Sequence, residues 1–536
     1  MSNFIHGIRA IPTGYLVVFI LALFLPAHLI NLGVAAFNGD EAIRSLVALE
    51  MKMSGNYIAT TMHGAPYINK PPLFNWMLLV SFKLFGYFGE FPARLVTVFF
   101  LAVYGFVVYR FTRKEFGNSF AFLCAMMTIL SGRFLIYDSM LGLIDTTFSV
   151  VIYTLFMSMY YFGSRGQWQR LFLVSYGLMT VGFLLKGLPA IVFQGLSLLA
   201  GLWFFGQLRR LFSWQHVGAG LLSLAVLAGY LAIYAQYRPL DILLPNLLHE
   251  SVKRTGVVFG WWNTVVHFFK FPFESVYHFL PFSLLVLAWF DRRFWQRLRA
   301  NRFAWFNFVI LAANLPIYWS SVQVYARYLL MFIPLFTTFS FYLMQQDQET
   351  NSWRFKIYYG ILGVLGILLP VAFAAMPFVP EVNFLENIWP LSIAFGLVLL
   401  APAVGFFADR KRYVYWTIIS LLVARIAFDL IILPTRHHEN ITSRARTNIR
   451  ALVDKYHDQT WYTYGRSILR EPASFYMTQK LGYIVQNTTD TSHKNAIYVV
   501  NPDHEPDGDL IFGGPPVDTF QTDYTEIKLL LYLTSK

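Results

Sequence analysis

Residues 38–76 read NGDEAIRSLVALEMKMSGNYIATTMHGAPYINKPPLFNW, the first long polar interruption in an otherwise apolar chain. On one side lies the apolar run 15–37; on the other lies 72–88, apolar but broken by Lys83 and Gly86. Two adjacent acids, Asp40 and Glu41, and the tripeptide Lys70-Pro71-Pro72 stand out from these surroundings. Charges kept in so greasy a neighbourhood point to chemistry rather than solubility. The stretch reads as the active-site loop of a membrane enzyme.

Composition supports the membrane. The chain has 536 residues, 56% hydrophobic and 13% charged, with mean hydropathy +0.49; a soluble domain is about one quarter charged. Many apolar runs approach the roughly 20 residues that a bilayer-crossing helix needs. Thirteen candidate spans follow: 15–37, 92–109, 119–137, 141–162, 171–185, 188–205, 217–237, 273–290, 303–319, 328–344, 357–377, 388–407 and 414–433. The expected fold is an all-α polytopic membrane protein of about 13 transmembrane helices, with a small C-terminal α/β domain. Residues 1–434 form the membrane domain, 38–90 its first external loop, and 435–536 the extramembrane domain. There, 444–456 has helical spacing, and 496–500 and 526–533 read as strands.

The net charge is +13, yet 435–536 is close to neutral, so the surplus belongs to the membrane part. It collects in alternate loops, at Arg110, Arg113 and Lys114, at Arg209 and Arg210, at Arg292 to Arg302, and at Arg410 to Arg412. With those loops inside, positive residues mark the cytoplasmic side throughout. The bias would invert if 72–88 crossed the bilayer, so that segment is expected to lie in the interface. The same map puts the C-terminus outside and argues against nucleic acid as a partner. Cys124 is the one cysteine, which rules out an intrachain disulfide and a cysteine metal site.

Chemistry-bearing residues fall on the outer side of this map. A carboxylate at Asp40 or Glu41 can deprotonate an acceptor hydroxyl or bind a divalent ion; the plainer role is a helix cap. Lys70 is held out of the α region by Pro71, and such an ammonium at the membrane surface suits a lipid phosphate; the plainer role is a snorkelling lysine. Arg133 and Asp138, followed by Asp145, are ionisable groups at membrane depth and therefore functional candidates, or a buried ion pair. Lys186, His249, Glu250, Lys253, Arg254, Tyr325 and Arg327 complete the set. A transporter would more naturally carry such groups at the bilayer midplane. No phosphate-binding loop or dinucleotide fingerprint is present.

Several of these residues carry a resemblance. Asp40-Glu41, Glu50-Met51, Gly55, Gly64-x-Pro66-Tyr67 and Lys70-Pro71-Pro72-Leu73-x-x-Trp76 resemble the first periplasmic loop of the ArnT-like and protein O-mannosyltransferase-like membrane glycosyltransferases of the GT-C superfamily. Lys186-Gly187, His249-Glu250-x-x-x-Arg254 and Arg327-Tyr328-Leu329-Leu330-x-x-x-Pro334 are similar to further parts of that family. The resemblance spans most of 15–345. It implies an inverting transfer of a sugar from a polyprenyl (undecaprenyl) phosphate to a lipid A-like lipid, a glycan or a protein, on the periplasmic side of a bacterial inner membrane. Asp40, with Glu41 and Asp138, would be the catalytic carboxylates. Tyr67, Lys70, Arg254 and Tyr325, with Arg44, Lys186 and Arg327, would hold the donor phosphate. No cofactor is required, since Lys and Arg can neutralise a monophosphate; a divalent ion stays open. Asn69 stands where lipid A-modifying members usually carry an acid, which leaves the acceptor open. The alternatives are a protein O-mannosyltransferase and, in another class, a transporter of polyprenyl-linked sugars.

Overall fold

The computed structural model describes residues 7–243, 245–246, 260–467, 469–521 and 528–534. They form two compact units, one drawn from 1–30, 97–233 and 240–432, the other from 31–96, 234–239 and 433–536.

The first unit is helical. Among the described residues seven helices are long and apolar enough to cross a membrane: Glu90–Phe116, Trp168–Lys186, Trp214–Ala235, Ala326–Glu349, Trp353–Ala374, Ile388–Ala408 and Arg410–His438. The shortest has 19 residues, which at 1.5 Å per residue reaches about 28 Å, close to the hydrocarbon thickness. The pair Asn118–Ile129 and Gly132–Met140, bent by 56°, would make an eighth. Exposed Leu221, Leu222, Leu224, Leu397 and Val398 give these helices lipid-compatible faces. The protein is a multi-pass membrane protein.

Length and apolarity do not reach the expected thirteen spans. The 15–37 run is helical only as Thr13–Phe24 and Pro26–Leu29, because the chain turns at Asn31, which has φ +54°. The 188–205 run becomes the 16-residue helix Pro189–Phe204. The 273–290 run is split between Trp261–His278 and the 3₁₀ stretch Phe282–Phe290, and 303–319 is interrupted ahead of Pro316. Helix Ile144–Gly163 is long enough, but Asp145 and its Thr, Ser and Tyr residues dilute its apolarity. Apolar windows read through these breaks because they count side chains and not backbone continuity. In 72–88 the helix is Leu73–Phe85, 13 residues long and ended by Gly86 at φ +76°; about 20 Å of helix is too short to span, in line with the interfacial expectation.

Close helix approaches in this unit use glycine. A Cβ on Gly396 would meet the Ala374 Cβ at 2.9 Å, and one on Gly182 the Ala190 Cβ at 2.9 Å. Small residues let helix backbones come together where lipid supplies no hydrophobic drive.

The second unit holds a five-stranded sheet. Its strands come after the short hairpin β1 (Thr61–Met62) and β2 (Ala65–Pro66): β3 (Thr460–Tyr464), β4 (Gln486–Thr488), β5 (Ala496–Val500), β6 (Asp518–Gln521) and β7 (Lys528–Leu533), in spatial order β4-β3-β5-β7-β6. Strands β4, β3 and β5 run parallel; β7 is antiparallel to β5 and to β6. Every residue of β5 is buried, which is why AIYVV shows no alternation: both faces of a central strand are covered. Helix Ile441–Lys455 turns Ala445, Ile449 and Val453 inward, a four-residue stripe. The expected α/β content of 435–536 is present. The same unit also takes in 31–96, with helix Asp40–Ser54 packed on helix Glu471–Leu481.

Candidate functional site

In the second unit the site is built around a turn that precedes helix Asp40–Ser54. Segment 32–41 is gathered by one side chain, Arg94. Its guanidinium donates to the carbonyls of Leu32 (2.8 Å), Ala35 (2.9 Å) and Ala36 (3.2 Å) and to both oxygens of Glu41 (2.7 and 3.1 Å). Gly33 is required here, since a Cβ would lie 2.9 Å from that of Phe91. Glu41 is fully buried and also accepts the backbone N–H of Asn38 at 3.1 Å. Neither acid takes the capping role, since the N-cap is Gly39 with no side-chain bond to the helix; Glu41 is buried on Arg94, and its neighbour Asp40 is the exposed carboxylate, at the first position of the helix.

One helical turn on, Arg44 is buried and donates through Nη2 to the Tyr67 hydroxyl at 2.5 Å, with its guanidinium 5.2 Å from the ring centroid. Its Nη1 is buried without a hydrogen-bond partner among the described residues. Tyr67 is fixed by two bonds to Thr60, its N–H to the carbonyl and the Thr60 hydroxyl to its own carbonyl, both 2.9 Å. The hairpin carrying it is clamped by Glu50, which accepts from Thr61 Oγ1 (2.6 Å), His63 N (2.6 Å) and Gly64 N (3.2 Å). Burial raises the Glu50 carboxyl above its ordinary range. Lys70 follows, half-buried, with Pro71 and Pro72 buried after it.

In the first unit a second cluster gathers Lys186 and Arg327 on Asp145. Lys186 Nζ lies 2.5 Å from one carboxylate oxygen and Arg327 Nε 3.4 Å from the other. Both cations sit on aromatic faces, Lys186 4.2 Å from the Tyr328 ring and Arg327 4.4 Å from that of Tyr325. Lys186, Tyr325 and Arg327 are thus brought together. Asp145, one of the ionisable groups at membrane depth, holds them. Asp138 is instead bound by Arg133, at 2.9 and 3.2 Å, beside the Tyr137 ring. Next to it, Ser139 accepts from Arg425 at 3.2 Å, and Arg425 is paired with Asp429. Arg94, Arg425 and Asp429 were overlooked in the sequence, although ionisable residues inside apolar runs were signal enough. His249, Glu250, Lys253 and Arg254 lie outside the described residues.

The 3₁₀ stretch Ala326–Phe332 links the cationic cluster to an apolar cavity of about 190 Å³. Leu329 and Phe332 line it with Phe271, Phe279, Trp289 and Phe336. A slot walled by aromatic and aliphatic groups two residues from a guanidinium suits an amphiphile with a long apolar tail and an anionic head. Among the described residues no group of three or more His, Cys, Asp and Glu side chains is gathered.

The fold has a counterpart among solved structures. The crystal structure of ArnT from Cupriavidus metallidurans bound to undecaprenyl phosphate superposes with a TM-score of 0.67 at 17% identity, covering 97% of this chain and 98% of that one. The fold is that of ArnT. Residues 69–233 match the family described as dolichyl-phosphate-mannose-protein mannosyltransferase. An uncharacterized protein of Aquifex aeolicus (strain VF5) is 25% identical over 57% of this chain and 60% of its own. The undecaprenyl phosphate-alpha-4-amino-4-deoxy-L-arabinose arabinosyl transferase 1 of Pseudomonas fluorescens (strain Pf0-1) is 24% identical over 58% of this chain and 55% of its own. The chain therefore spans little more than half the length of the curated relatives it matches. The family description matched over 69–233 and the ArnT fold agree with the family resemblance read from the sequence.

Two predictions follow from the clamps of the second unit. Glu41→Ala strands the buried Arg94 charge and lowers stability by about 3–5 kcal/mol, whereas Asp40→Ala changes it by less than about 1 kcal/mol; thermal unfolding of the purified protein in detergent separates them. His63, whose Nδ1 lies 3.0 Å from the Ser474 hydroxyl, is held below its ordinary value of 6.5 by burial, with Glu471 pulling the other way. Its unfolded form binds more protons below that value, so the stability is intact above pH 6.5 and falls as the pH drops from there towards the folded value. The wild type should lose up to about 1.4 kcal/mol more per pH unit in that window than His63→Gln.

Proposed function

We propose that this chain is a membrane glycosyltransferase that moves a sugar from a polyprenyl-phosphate donor to a hydroxyl of a lipid, glycan or protein acceptor. The observation that carries the reading is the meeting, on one turn, of the Lys186–Arg327–Asp145 cluster with the apolar cavity. The ArnT relative was crystallised with undecaprenyl phosphate, which is an anionic head on an isoprenoid tail. Such a donor would lay its tail in the cavity and its phosphate near the cations.

In the reaction, the acceptor oxygen forms a bond to the anomeric carbon while the bond from that carbon to the phosphate oxygen breaks. The acceptor proton passes to Asp40, the exposed carboxylate of the first loop. The electron pair leaves with the polyprenyl phosphate, where negative charge grows. Lysine and arginine side chains placed there stabilise the transition state more than the ground state, and a preorganised cation is the cheapest way to do so. Lys70 is proposed for this role, with Arg44 and Tyr67 shaping its hairpin; Lys186, Arg327 and Tyr325 are proposed as phosphate-binding residues of the first unit. Asp138 is proposed as an acceptor-orienting carboxylate poised by Arg133. Glu41 is assigned to the Arg94 clamp instead of to the acceptor. A periplasmic face follows from the loop-charge bias, read on the outer side of a bacterial inner membrane.

A protein acceptor is the second reading, favoured by the mannosyltransferase description matched over 69–233. Mass spectra of lipid A, envelope glycans and envelope proteins with and without the gene distinguish the acceptors.

With a labelled polyprenyl-phosphate sugar in liposomes, Asp40→Asn should lower kcat by about 10²–10⁴. Wild-type turnover in that variant would remove Asp40 from the mechanism. Lys70→Ala should weaken donor binding by roughly 10- to 100-fold, the value of a charge-assisted contact; unchanged donor affinity would overturn its phosphate role.

A further inference from the structure

We propose that helix Glu471–Leu481, far along the chain, is a positioning element for Asp40, acting through the hydroxyl of Tyr476. The inference rests on the functional reading above and adds a determinant to it.

The Phe37 backbone N–H donates to Tyr476 Oη at 2.7 Å, and that hydroxyl donates its own proton to Glu90 Oε1 at 2.8 Å. Arg446 completes the chain, donating to the same Glu90 oxygen at 2.6 Å and to the Val34 carbonyl at 3.3 Å. The Phe37 ring is fully buried, edge-on to Phe475 at 4.8 Å and stacked on Tyr476 at 6.2 Å. Burial and the Glu90 charge hold the Tyr476 phenol well above its ordinary range, so it stays a proton donor to Glu90. The donors converge on Glu90: the Phe37 N–H donates to the hydroxyl, the hydroxyl donates to the carboxylate, and the Arg446 guanidinium donates to that same carboxylate.

Its target is short. Phe37 lies three residues before Asp40, with only Asn38 and Gly39 between them. Arg94 already fixes the carbonyls of Leu32, Ala35 and Ala36. The N–H of Phe37 is where the turn passes from that clamp to the helix start, and Gly39, at φ +52°, is the pivot after it. Gly39 resists a change of direction poorly because it has no Cβ. The bond to Tyr476 therefore sets how Asp40 is presented. A displacement of about 1 Å at a reacting group costs up to about a hundredfold in rate, so one such hydrogen bond has a measurable kinetic weight. Tyr476 is a positioning residue, since it acts on Asp40 through the backbone.

The test is Tyr476→Phe, which removes the hydroxyl and keeps the stacked ring. The control is Gln479→Ala on the same helix; Gln479 donates to the Phe88 carbonyl and leaves 32–41 alone. A nitroxide on Asn38→Cys reports the turn directly; Asn38 is exposed and the native Cys124 is buried, so labelling is selective. Tyr476→Phe should narrow the nitroxide spectrum and lower kcat for sugar transfer by about 10- to 100-fold, with donor KM within about twofold and the folded fraction retained. Gln479→Ala should leave spectrum and kcat unchanged. An unchanged spectrum in Tyr476→Phe overturns the proposal, as does a mobile label with an unchanged kcat, or an equal kcat loss in Gln479→Ala. If the wild type transfers no sugar, the functional reading fails, and the spectrum alone then decides whether Tyr476 sets the Asp40 turn.

Discussion

A guanidinium in apolar surroundings is the constraint on which the second unit depends. Arg94 belongs to an apolar helix and is nearly inaccessible; unpaired, its charge would cost several kcal/mol. The cost is offset only if acceptors turn towards it from several directions. Glu41 supplies a carboxylate, and the carbonyls of Leu32, Ala35 and Ala36 supply the rest. That demand favours a non-helical path for 32–39 and a helix that begins at Asp40. The exposed acid of the loop stands where it does because its neighbour is consumed in neutralising Arg94.

The first unit obeys the same rule with a different outcome. Arg425 meets Asp429 within one helix, and Arg297 and Arg354 share Asp291 and Asp347. These arrangements bind segments of chain together. The Asp145 cluster differs in setting: its two cations lie on aromatic faces, and the turn that carries Arg327 continues into the wall of an apolar cavity. Charge next to an apolar slot suits an amphiphile in a way that a charge network at a loop does not.

Much of the membrane character was legible from composition alone, because a run of apolar side chains has few alternatives. The count of spans was not, because helix continuity depends on the backbone at places such as Asn31 and Pro316. Among the site residues, Lys186, Arg327 and Tyr325 were recognisable singly and fall together. Asp40 and Glu41 looked equivalent and are not; which acid is buried depends on Arg94, more than fifty residues away. Asp145 was visible as an intramembrane acid, but its partners come from two other helical segments.

By itself the sequence determined a multi-pass helical protein with a polar first loop and a small α/β domain near the C-terminus, since periodicity and apolar content are local properties. The tertiary structure alone decided that 31–96 packs in one unit with 433–536, and that Tyr476 and Arg446 reach the turn before Asp40. Those contacts join residues some four hundred positions apart. Their formation depends on how a buried N–H and a buried carboxylate find partners in the folded chain, and no local pattern of side chains encodes that.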